Sequence, residues 1–95
     1  MNIPKKSLGQ NFLIDKNIIK KIIDLVEIKD KNIIEIGPGK GALTNEILKK
    51  SPKSLILIEK DNNLVKNLSS IYASNKKVKI YNEDILKFNL EKIIK

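Results

Sequence analysis

From Asp15 onward the apolar residues switch between two periodicities. Ile18, Ile19, Ile22, Ile23 and Val26 follow the spacing of one helical face, with Lys16, Lys20, Lys21 and Asp24 opposite and Asp15 placed as an N-cap, which predicts a surface amphipathic helix. Ile33, Ile34 and Ile36 form a β-branched run too short for a helix and closed by Gly37-Pro38-Gly39, so they predict a buried strand. Ala42, Leu43, Ile47 and Leu48 resume helical spacing as far as Lys49-Lys50. Ser51-Pro52 ends that helix, because proline disfavours a helical conformation in the residue before it. Leu55 to Ile58 predicts a second strand that ends in Glu59-Lys60-Asp61, and Leu64, Val65, Leu68, Ile71 and Tyr72 mark a third helix. Val78 and Ile80 alternate with Lys79 and Tyr81 in a third strand, which runs into Asn82-Glu83-Asp84.

The order is a helix followed by β-α-β-α-β, which with short connections predicts parallel strands and an open α/β sheet of Rossmann type. Residues 1–14 carry Pro4, Lys5, Lys6 and Gly9 without a sustained period and read as an extended N-terminal arm; residues 15–95 read as the sheet-bearing unit. That unit is expected to be the N-terminal half of a larger fold. In a doubly wound sheet the ligand crevice lies beside the first strand, and the strand on its far side would have to follow Lys95. The first strand is then left as an apolar, unpaired edge, which predicts marginal folding for such a half alone.

Composition narrows the chemistry. Of the 95 residues 41% are hydrophobic and 32% charged, a globular balance, and no apolar run exceeds Leu55 to Ile58, so neither a membrane span nor a signal peptide is expected and the protein is placed in the cytoplasm. The absence of Cys and His removes disulfides, thiolate or imidazole metal ligands and nucleophilic thiol chemistry. The net charge of +8 fits a phosphate-bearing partner such as RNA through counterion release. All 19 basic residues are Lys, however, and without Arg this segment has little means of reading base edges directly.

The richest signal is Ile34-Glu35-Ile36-Gly37-Pro38-Gly39-Lys40-Gly41-Ala42, a strand, a glycine turn and a helix start in succession. Gly37 suits the tight turn, Gly39 lets a ligand approach the backbone, and the following helix presents its N-terminal amides. The match to G-x-G-x-x-A admits a dinucleotide such as NAD, whereas no P-loop pattern exists in the chain. Glu59, at the end of the second strand, stands where a carboxylate can accept ribose hydroxyls, and Asp84, just past the third, where one can accept an adenine amine. Glu35, two residues before Gly37, would point an acid at the ligand pocket, which favours a cationic amino group over a pyrophosphate and so S-adenosylmethionine over NAD. A basic RNA-binding module with a non-functional glycine turn is the non-enzymatic alternative.

Lys6-Ser7-Leu8-Gly9-Gln10-Asn11-Phe12-Leu13, then Glu35-Ile36-Gly37-Pro38-Gly39-Lys40-Gly41-Ala42-Leu43-Thr44, Ile58-Glu59-Lys60-Asp61 and Glu83-Asp84 together resemble the N-terminal part of the ribosomal RNA adenine N6-dimethyltransferases, the family of the kasugamycin-resistance and erythromycin-resistance enzymes. The resemblance spans nearly the whole chain. It implies a Rossmann-like, S-adenosylmethionine-dependent methyltransferase fold in which the arm lays Asn11 and Leu13 against the cofactor. It further implies that Gly37 and Gly39 pass beneath the methionine moiety with Glu35 nearby, that Glu59 holds the ribose, that Asp84 holds the adenine amine, and that Lys60 and Ile85 flank the ring. The reaction implied is methyl transfer to N6 of two adjacent adenines near the 3′ end of small-subunit RNA within a pre-30S particle, by a monomer without a metal. The family's Asn-Leu-Pro-Tyr motif is absent, so no catalytic residue is expected within these residues and the fragment alone is expected to be inactive. The large-subunit branch of the family is the alternative target.

Overall fold

The computed structural model describes residues 16–88 and Glu91. The expected arm at 1–14, the Asp15 cap, Asn11 and Leu13 lie outside the described residues. Six elements follow in order: α1 (Lys16–Asp24), β1 (Asn32–Ile36), α2 (Ala42–Lys49), β2 (Ser54–Ile58), α3 (Asn62–Ile71) and β3 (Val78–Tyr81). The strands form one parallel sheet in the order β1-β2-β3, with Ile36 opposite Ile58 and Ile58 opposite Tyr81. All three strands therefore finish at the same edge, and the residues that follow each one are brought together there.

Alternation along the strands explains how the sheet is covered. Leu55 and Leu57 are fully buried on the face that packs Ile19 and Ile23 of α1, Ile47 of α2, Leu68 of α3 and Tyr72 at its C-cap, and Ile33 joins them from β1. On the opposite face Ile34 and Ile56 are half-buried and Ile36 is 55% exposed. A parallel sheet normally buries both faces, and the unbroken Leu-Ile-Leu-Ile of β2 has the composition for it. Among the described residues one face is covered by helices and β1 is paired on one side, so the first strand is the unpaired edge expected of it, with Ile36 exposed where a buried strand is predicted.

Local chemistry sets the ends of the helices. α1 is shorter than its apolar spacing predicts: Leu25 N–H bonds the Ile22 carbonyl and Val26 N–H bonds that of Ile23, which tightens the last turn, and Val26 is left 51% exposed outside the helix. α2 ends as expected before Pro52, through Ser51, which adopts φ 57° and donates its N–H to the Leu48 carbonyl at 3.2 Å. Asp61, which the sequence pattern leaves at the end of β2, is the N-cap of α3, accepting from the N–H groups of Asn63 at 2.8 Å and Leu64 at 3.0 Å. Among the described residues, no helix is long and apolar enough to cross a membrane.

Candidate functional site

The turn between β1 and α2 is held open by its glycines. Gly37, Gly39 and Gly41 have φ values of 68°, 59° and 91°. Gly37 N–H donates to the Ile58 carbonyl at 2.8 Å, which stitches the start of the turn to the end of β2, and Gly41 N–H closes the turn on the Pro38 carbonyl at 3.0 Å. Gly39 and Gly41 need glycine for different reasons. A Cβ at Gly39 would meet nothing within 4 Å, so the space beside its backbone is open to a ligand. A Cβ at Gly41 would sit 3.2 Å from the Tyr72 hydroxyl and 3.4 Å from Leu68, so there the missing side chain lets α2 pack against α3. Gly41→Ala is accordingly expected to cost about 2 kcal/mol, from left-handed strain and crowding together, and Gly39→Ala about 1 kcal/mol from strain alone. Urea unfolding of the two variants measures the difference, and equal losses would show that the contact with Tyr72 carries no weight.

Glu59 is only 6% exposed, and both of its oxygens are engaged. Oε1 accepts from Gly39 N–H at 3.1 Å and Oε2 from Asp61 N–H at 3.0 Å. The carboxylate thus bridges the glycine turn and the cap of α3. Each carboxylate oxygen has two acceptor directions, so a ligand hydroxyl can still be accepted beside each backbone bond. Lys60 is exposed, and its carbonyl accepts from Asn82. Asp84 is half-buried; its Oδ1 accepts from Leu86 N–H at 3.0 Å, starting a short turn in which Ile85 is half-buried. The ring of Phe88 beyond that turn packs against that of Tyr81, tilted by 41° at 5.6 Å between centroids.

Glu35 is placed differently from these acids. Alternation puts it on the same face of β1 as Ile33, the face that carries the helices, where it is 7% exposed and lines an apolar cleft with Ile22, Ile34, Leu43 and Ile47. Its Oε1 accepts the Thr44 hydroxyl at 2.6 Å, tying the end of β1 to the first turn of α2 across the glycine turn. Burial pushes its carboxyl up to about 7, while the Thr44 bond pulls in the opposite direction. The Tyr72 phenol, which donates to Asn45 Oδ1, is pushed up by burial and then by the charge of Glu35. The structure therefore brings Gly37, Gly39, Glu59 and Lys60 to one corner, places Asp84 and Ile85 at the end of the neighbouring strand, and turns Glu35 towards α2.

Thr44, Asp61 and Asn82 belong to this arrangement without having been picked out by the sequence as site residues. The spacing of Asp61 before an apolar helical run is a cap signal that could have found it. Asn82 has no such signature.

Comparison with known proteins gives the constellation a family. The model of the family described as "Ribosomal RNA adenine dimethylase" matches residues 1–95. The chain is 51% identical over 83 residues to the ribosomal RNA small subunit methyltransferase A of Pelagibacter ubique, covering 87% of this chain and 31% of that protein. It is 50% identical over 92 residues to the protein of the same name from Staphylococcus haemolyticus, covering 96% of this chain and 31% of that one. Among solved structures it resembles a dimethyladenosine transferase from Plasmodium falciparum, with a TM-score of 0.70 at 28% identity over 79% of this chain and 28% of that one. It also resembles the 23S rRNA methyltransferase ErmE, with a TM-score of 0.69 at 26% identity over 79% of this chain and 31% of that one. The chain spans about a third of the length of the curated relatives it matches. On a Rossmann-like methyltransferase fold, with the glycine turn and its strand-end acids in place, this chain belongs to the ribosomal RNA adenine dimethylase family.

Proposed function

We propose that the chain is the cofactor-binding N-terminal part of an S-adenosylmethionine-dependent ribosomal RNA adenine N6-dimethyltransferase, acting on two adjacent adenines near the 3′ end of small-subunit RNA. The observation that carries the reading is the open ground beside Gly39, bounded by the buried Glu59 carboxylate that already grips the turn. That cradle fits a nucleoside cofactor, because a side chain at Gly39 would fill it and the acid beside it retains acceptor directions for vicinal hydroxyls. When bound, the cofactor supplies a sulfonium methyl as the electrophile.

The roles of the chain's residues follow from their positions. Gly37 and Gly39 leave room beneath the methionine moiety; Glu59 accepts the ribose hydroxyls; Asp84 accepts the adenine amine, with Lys60 and Ile85 along the ring. Glu35 acts from beneath by holding α2 to β1 through Thr44. Asn11 and Leu13 of the arm, residues 1–14, close over the cofactor, and residues 15–95 form the first part of the methyltransferase domain. Methyl transfer needs the partners aligned more than it needs an acid or base, so these residues contribute by positioning.

Relatives at about 50% identity that carry a small-subunit name support that target over the large subunit named for ErmE. The test is to incubate the full-length protein and S-adenosylmethionine with particles of unmethylated small-subunit RNA and, separately, with large-subunit RNA. N6,N6-dimethyladenine at both adjacent positions of the small-subunit RNA, read by mass spectrometry, is the expected result. Methylation confined to the large-subunit RNA would replace this target with the alternative one.

A further inference from the structure

β2 and β3 end side by side and each hands over an acid, Glu59 directly after β2 and Asp84 shortly after β3. The last rung of the sheet between them is Glu59 N–H to the Tyr81 carbonyl at 3.0 Å, after which the two chains leave the ladder. Each carboxylate is occupied within its own surroundings, Glu59 with Gly39 and Asp61, Asp84 with Leu86. What continues the ladder past its last rung is a side chain. Asn82 Nδ2 donates to the Glu59 carbonyl at 3.1 Å and to the Lys60 carbonyl at 3.2 Å, so one amide group from the β3 loop holds both residues that begin the β2 loop. Carbonyl oxygens only accept, and the two hydrogens of an amide nitrogen match two of them. An aspartate of the same shape presents oxygens to those carbonyls and can form neither bond.

From this we infer that Asn82 is a positioning residue that fixes the spacing between the Glu59 and Asp84 carboxylates and thereby sets the preference for adenine in the bound nucleoside. The inference rests on the proposed reading that Glu59 meets the ribose and Asp84 the exocyclic amine. An acid can accept from an amine at one end of a rigid nucleoside only if its distance from the ribose contact is held. Without the tether the ladder between the two loops ends at the Glu59–Tyr81 rung, and the Asp84 loop can drift while the Glu59 contact survives.

The experiment is calorimetric titration of the full-length protein, and of Asn82→Ala and Asn82→Asp, with S-adenosylhomocysteine and with S-inosylhomocysteine, whose 6-oxo group offers Asp84 an acceptor in place of a donor. The unsubstituted protein is expected to prefer the adenosyl ligand by about tenfold or more, the value of one good hydrogen bond. Asn82→Ala is expected to reduce that preference to roughly threefold or less, and Asn82→Asp to do no better than Ala despite its matching shape. A loss of folded protein lowers the number of sites, not the ratio of affinities, so the ratio isolates positioning. If Asn82→Ala weakens both ligands by the same factor and keeps the preference, Asn82 is structural and the inference is wrong. If the unsubstituted protein shows no preference, the role given to Asp84 fails and the inference falls with it.

Discussion

Glu59→Gln is expected to weaken binding of S-adenosylhomocysteine to the full-length protein by about 100-fold, as far as Glu59→Ala does. An acid that served only to accept ribose hydroxyls would tolerate glutamine well, since an amide oxygen accepts and a hydroxyl can also be accepted from or donated to. The carboxylate of Glu59 has a second task that glutamine cannot perform. Its two oxygens each accept a backbone N–H, one from Gly39 and one from Asp61, while the side chain is nearly sealed from water. In glutamine one of those oxygens becomes an NH2 group facing an N–H donor at about 3 Å, so either the turn or the α3 cap loses its partner. A hydrogen bond to a charged acceptor contributes about 1.5–3 kcal/mol, and losing one together with the charge accounts for the expected factor. Amide exchange in the cofactor-free protein separates this task from ribose binding: whichever of the Gly39 and Asp61 N–H groups faces the amide nitrogen should exchange faster in Glu59→Gln. If Gln binds within threefold of the unsubstituted protein, the bracing role is refuted.

Much of this architecture was legible in the sequence because its signals are local. A β-branched run before the glycine turn marked β1, a short apolar run marked β2 and apolar-polar alternation marked β3, while Ser51-Pro52 marked the end of α2. The glycine turn was legible in type, since a strand, a glycine turn and a helix start in succession leave few alternatives. The meaning of its individual residues was less so. Gly41 is required by Tyr72 and Leu68, which arrive from α3, and no local pattern reports a neighbour that distant in the chain. Glu35 was legible as an acid two residues before Gly37, but its partner was not: Thr44 reaches it from the first turn of α2 across the glycine turn, and no local pattern reports that bond. The end of α1 was missed because the apolar spacing continues through Val26 while the backbone tightens, whereas the unpaired edge at β1 was legible from the strand order of a doubly wound sheet. Asn82 was illegible since a loop asparagine acquires meaning only from the carbonyls it meets.

The position of Glu35 makes folding stability fall as the pH rises through the neutral range. Its carboxyl ionises near 4.5 when unfolded and near 7 when folded, because burial on the core face penalises the charged form. Between those values the folded chain holds a proton that the unfolded chain has released, so the contribution is intact below about 4.5 and is lost progressively up to about 7. From pH 5 to pH 8 the loss attributable to this one group is about 2–3 kcal/mol. Glu35→Gln keeps an acceptor for the Thr44 hydroxyl and cannot ionise, so the variant should be more stable than the unsubstituted protein at pH 8, with the gain shrinking towards pH 5. Thr44→Val supplies the complementary measurement. The Thr44 bond favours the charged form, so its removal should move the Glu35 carboxyl further up and extend the fall in stability to higher pH. Urea unfolding at a series of pH values reads both effects. Parallel stability curves for the unsubstituted protein and Glu35→Gln would mean that the carboxyl ionises alike in the folded and unfolded chains, and that the acid between β1 and α2 is in contact with water.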